Sequence, residues 1–72
     1  MNTPEPIFVV LTIYRSNLKR LTDAAERQGG ALNMKCGSVA DFTFPTRAAA
    51  RAFATYARLD DARHVTVSGG SD

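Results

Sequence analysis

Cys36 and His64 are the only cysteine and the only histidine in a chain of 72 residues. One cysteine cannot close a disulfide within the chain, and no grouping of cysteine, histidine and acidic residues supplies four metal ligands. A Ser/His/Asp arrangement has only His64 to draw on, and that residue sits at a strand edge. Cys36 falls on the inward parity of a strand, where a thiol is a small hydrophobe rather than a nucleophile. No glycine-rich phosphate loop is present. Asp60 and Asp61 follow a helical pattern and read as its exit turn. These side chains predict no catalytic residue, no metal and no cofactor, and the expectation is that the chain is not an enzyme.

The most organised chemistry is basic. Arg47, Arg51 and Arg58 recur on one side of a helical segment, and Arg20, Lys19 and Arg27 of an earlier helix are expected on the same side of the domain, diluted by Asp23 and Glu26. Guanidinium forks suit phosphate or carboxylate, so the stripe offers a contact for nucleic-acid backbone or for an acidic protein surface. The alternative is that it solvates an alanine-rich helix. The net charge of +2 is far from that of a basic arm.

The elements that must position these residues follow from periodicity. Ile7 to Ile13 is β-branched and nearly continuously apolar, as a central strand is. Leu18 to Gln28 places Leu18, Leu21, Ala25 and Gln28 on one helical face, with Asp23 and Arg27 as an i,i+4 pair. Ser16 or Asn17 is placed to cap its start, and Gly29-Gly30 to cap its end. Leu32 to Cys36 and Val39 to Phe44 alternate in polarity around Gly37-Ser38, a type II′ hairpin signal. Thr46 caps a second helix reaching Arg58 or Leu59, whose inner side is expected to hold Ala49, Ala52, Phe53, Tyr56 and Leu59. His64 to Ser68 is the last strand.

The order is β-α-β-β-α-β. Right-handed crossovers then put both helices on one face of a four-stranded antiparallel sheet, with the first and third strands central. This α+β arrangement resembles the ferredoxin-like superfold over residues 7–68, after an extended stretch at 1–6 marked by Pro4 and Pro6 and before a tail at 69–72. A hydrophobic fraction of 44% and a charged fraction of 22% fit one folded domain. No apolar run reaches the roughly 18 residues of a membrane span, and Met1 to Pro6 lacks the basic region of a signal peptide. A cytoplasmic protein with no membrane contact is expected.

Strand parity sorts the side chains. The helix-covered face is expected to take Ile7, Val9, Leu11, Ile13, Leu32, Met34, Cys36, Ala40, Phe42, Phe44, Val65 and Val67. The open face is expected to show Phe8, Val10, Thr12, Asn33, Lys35, Val39, Asp41, Thr43, His64, Thr66 and Ser68. A slip of one residue would exchange the faces.

Ile7-Phe8-Val9 and Gly37 to Phe44 resemble the strand-1 and strand-3 motifs of the RNA recognition motif, which stacks bases on its open face. With Phe44 at the final buried aromatic position, the stacking positions fall on Val39 and Asp41. Neither stacks, and Asp41 repels phosphate, so only Phe8 remains as a platform. Tyr14 to Leu18 followed by Leu21 to Ala25 resembles the turn and helix of ACT-type regulatory domains, which would imply a small-ligand sensor. The turn glycine of that family falls on Asn17. Acylphosphatases of this superfold carry a glycine-rich loop at the segment corresponding to residues 12–17, and its heavy-metal domains carry two cysteines there. This chain has neither.

The expectation is a small interaction module, an adaptor, regulator or inhibitor. It would bind a protein partner, or itself as a homodimer, through Phe8, Val10, Val39 and Lys35 of the sheet face or through Arg47, Arg51, Arg58, Arg20 and Arg27 of the basic helix face. Nucleic-acid binding through the arginines and an ACT-like sensor are the alternatives.

Overall fold

The computed structural model describes residues 6–13 and 18–69. The elements are β1 (Ile7–Thr12), α1 (Leu18–Arg27), β2 (Ala31–Cys36), β3 (Val39–Phe44), α2 (Arg47–Leu59) and β4 (Arg63–Gly69). The strands form one antiparallel sheet in the order β2-β3-β1-β4. This is the α+β, ferredoxin-like topology that the periodicity predicts, with β1 and β3 central.

Local chemistry fixes the joints. Gly29, with φ +80°, ends α1 in a left-handed cap, and the amide of Gly30 donates to the carbonyl of Ala25 at 2.8 Å. Gly37 has φ +60° while Ser38 stays outside the left-handed region, which is a type II′ pattern for the β2–β3 turn. Thr46 caps α2, its hydroxyl accepting from the amide of Ala49 at 3.1 Å. Asp61 takes φ +67° at the exit of α2, and the amide of Ala62 returns to the carbonyl of Ala57 at 3.0 Å. Asp60 and Asp61 are therefore the exit turn, and Asp60 also receives both Nε and Nη2 of Arg20, at 3.3 and 3.0 Å. The expected cap of α1, Ser16 or Asn17, lies outside the described residues.

Both helices cover one face of the sheet. Ile7, Val9, Leu11, Ile13, Ala40, Phe42 and Phe44 from the sheet meet Leu21, Ala24 and Ala25 of α1 and Ala50, Phe53, Ala54 and Ala57 of α2. Phe53 sits with its ring centroid 4.8 Å from that of Phe42 and 5.0 Å from that of Phe44. Phe42 and Phe44 rise from the sheet to meet Phe53 and the small alanines of the helices, so large and small side chains face one another across the layers.

The core departs from the sequence expectation on α2. The buried stripe is Ala50, Phe53, Ala54 and Ala57, at the spacing i, i+3, i+4, i+7. Ala52, Tyr56 and Leu59, expected inside, lie outward, with Leu59 82% exposed. Alanines occupy enough of α2 to complete either stripe, and the one without Tyr56 and Leu59 leaves room for Phe42 and Phe44. On α1, Gln28 is exposed and Asp23 pairs with Lys19 at 3.2 Å rather than with the expected Arg27.

A second departure lies in β2. Leu32 opposes Phe42, but Met34, not Asn33, opposes Asp41, and Lys35 and Cys36 then oppose Ala40 and Val39. This bulge adds one residue to β2 and reverses the parity beyond it. Met34 and Cys36, expected in the core, move to the uncovered face and are exposed. Lys35, expected on the uncovered face, moves to the helix side opposite Ala40, on an edge strand where its ammonium still reaches water.

Candidate functional site

Opposed residues of an antiparallel pair share a face, so the register lays out the uncovered face in three rows. Across β2, β3, β1 and β4 these are Ala31, Thr43, Phe8 and Ser68, then Met34, Asp41, Val10 and Thr66, then Cys36, Val39, Thr12 and Arg63. Of the expected residues, Phe8, Val10 and Val39 are brought together here and Lys35 is not. Met34 and Cys36 are additions that the bulge supplies. Arg63 is a further addition, because β4 begins one residue earlier than expected. It opposes Thr12 after an irregularity that places His64, at φ +55°, and Val65 across from Leu11.

The face is apolar in patches rather than uniformly. Met34 is 62% and Val39 44% exposed, and Phe8 and Val10 are half-buried by their neighbours. Asp41 lies between Met34 and Val10 in the middle row. Its Oδ2 accepts from Nδ2 of Asn33 at 3.1 Å, while its Oδ1 is buried with no hydrogen-bond partner among the described residues. A carboxylate at the centre repels phosphate. Among the described residues Phe8 is the only aromatic side chain on the face. Stacking single strands generally takes several rings.

The expected basic face divides. Arg47, Arg51 and Arg58 flank a shallow groove with Ala54, Thr55 and, from β4, Val67. Arg27 lines a different groove, between the helices, with Ala24, Gln28, Ala52, Phe53 and Tyr56. Arg20 is engaged with Asp60. The helix positions alone suggested one basic side, but α1 packs on the flank of α2 away from β4, which separates its cations from the α2 row.

Among the described residues no group of three or more histidine, cysteine, aspartate or glutamate side chains is placed to hold a metal ion, and no helix is long and apolar enough to cross a membrane. The turn that resembles ACT domains, around Asn17, lies outside the described residues. No family model, curated protein or solved structure matches the chain.

Proposed function

We propose that the chain is a non-enzymatic interaction module, an adaptor, regulator or inhibitor, that assembles with protein through the uncovered face of its sheet, first of all with a second copy of itself. The observation that carries this is the bulge in β2, which adds Met34 and Cys36 to Phe8, Val10 and Val39 on one face. Apolar surface of this kind gains free energy when covered, at about 25 cal/mol per Å². The single cysteine can form no disulfide within the chain, and covering this face would add buried apolar surface to the small core. Nucleic-acid binding fits the face less well, given Asp41 at its centre.

The Phe8→Glu variant tests this. Wild-type protein is expected to sediment as a dimer at about 1 mM. Phe8→Glu is expected to sediment as a monomer with an unchanged far-ultraviolet spectrum, since the position is only half-buried. A wild type that stays monomeric at that concentration removes self-association.

A further inference from the structure

The groove between α2 and β4 carries a second and separate surface. Arg51 and Arg58 are exposed, and neither side chain has a hydrogen-bond or ion-pair partner among the described residues. Lys19 and Arg20, by contrast, are paired with Asp23 and Asp60. Arg47 joins their row and donates from Nη2 to the carbonyl of Gly69 at 3.0 Å, tying the row to the end of β4. No acidic residue lines the groove among the described residues. Val67 of β4 also lines it, and β4 is an edge of the sheet.

The two edges differ. The β2 edge is interrupted by its bulge and carries Lys35, both devices that discourage another strand from pairing. Beyond the irregularity at His64, β4 runs Val65-Thr66-Val67-Ser68 with no charge, proline or further bulge. Such an edge presents free amides and carbonyls to any extended chain laid beside it.

We infer that an extended acidic segment of a partner protein adds to β4 as a fifth strand, with its alternate carboxylates seated on Arg47, Arg51 and Arg58. Spacing supports this. Arg47 and Arg51 are four residues apart on a helix, about 6 Å along its axis. Side chains on one face of a strand repeat every two residues, about 6.6 Å. Arg58 lies about 10.5 Å beyond Arg51, between one and two strand repeats, so its long side chain must lean along the groove to meet a later carboxylate on the same face. The recognised pattern is therefore acidic at every second position, with main-chain bonding to β4 supplying affinity and the arginine forks supplying selectivity. The groove lies on the helix side of β4, so this surface is independent of whatever covers the opposite face.

The test uses fluorescence anisotropy with a fluorescein-labelled peptide of about nine residues, roughly 30 Å when extended, alternating glutamate and threonine. Saturable binding is expected with a Kd below about 1 mM. Glutamine in place of glutamate, or the double variant Arg51→Glu/Arg58→Glu, is expected to weaken it about tenfold or more. Methylating alternate peptide amides is expected to abolish binding, and amide exchange at Val65 to Ser68 is expected to slow when the unmodified peptide binds. Arg27→Glu, on the other flank of α2, is expected to change nothing. No saturation overturns the inference. Equal binding of the methylated peptide overturns it as well, because charge alone would then suffice. Tighter binding of an oligothymidylate of similar length, lost in the Arg51→Glu/Arg58→Glu variant, assigns the groove to nucleic acid instead.

Discussion

Phe53→Ala is expected to cost about 3–5 kcal/mol, as removal of a fully packed phenylalanine does. Phe53 is 1% exposed and is the one large side chain that α2 sends into the sheet, where it touches both Phe42 and Phe44. The neighbouring buried positions, Ala50, Ala54 and Ala57, have nothing with which to refill the space. At about 0.05–0.15 kcal/mol per residue, a chain of 72 residues has a total stability of roughly 4–11 kcal/mol, so the variant loses a large share of it. Urea unfolding followed by circular dichroism reads the loss as a fall in midpoint. Leu59→Ser is the companion measurement. With Leu59 mostly in water, it is expected to stay within about 0.5 kcal/mol of wild type. If Leu59→Ser proved as costly as Phe53→Ala, α2 would be rotated the other way.

Gly30→Ala is the second large effect. A Cβ at this position would stand 2.5 Å from two ring carbons of Phe44 and 2.5 Å from the carbonyl oxygen of Thr43. Neither neighbour has room to yield. Phe44 is packed against Phe53 in the core, and the Thr43 carbonyl belongs to a central strand. The backbone of Gly30 itself is outside the left-handed region, so the cost arises from contact rather than from torsion. Overpacking of this kind costs about 1–3 kcal/mol, sometimes more. A thermal melt is expected to fall by about 4–8 °C for each kcal/mol lost. An unchanged melting temperature would mean that β2 does not leave α1 as closely against Phe44 as described.

The element order was legible because each signal is local. The unbroken apolar run of β1, the Gly37-Ser38 turn, the Thr46 cap and the Gly29-Gly30 cap each speak for a few neighbouring residues, and the structure contains all four. The inward faces of β1 and β3 were legible for the same reason. What failed to show were the places where tertiary packing chose between locally equal options. Leu32-Asn33-Met34-Lys35-Cys36 alternates without a flaw, and no residue in it marks the extra position that the bulge inserts. Alanine fits either stripe of α2, so sequence alone could not say that Phe42 and Phe44 would push Tyr56 and Leu59 outward. The basic face suffered similarly, since the side of α2 on which α1 packs determines where Arg27 and Arg20 end up. Phe8, Val10 and Val39 were placed correctly because the strands that carry them keep their parity in this region. Met34 and Cys36 were missed because theirs does not.

Cys36 offers a direct probe of the uncovered face, through its rate of alkylation by N-ethylmaleimide as protein concentration is raised. In dilute solution the exposed thiol is expected to react about as fast as a free cysteine, and at about 1 mM the rate is expected to fall as a second copy covers the face. A thiol that reacts slowly even when dilute would put Cys36 under the helices and undo the bulge. A rate that stays fast at every concentration would show that no second copy covers the face.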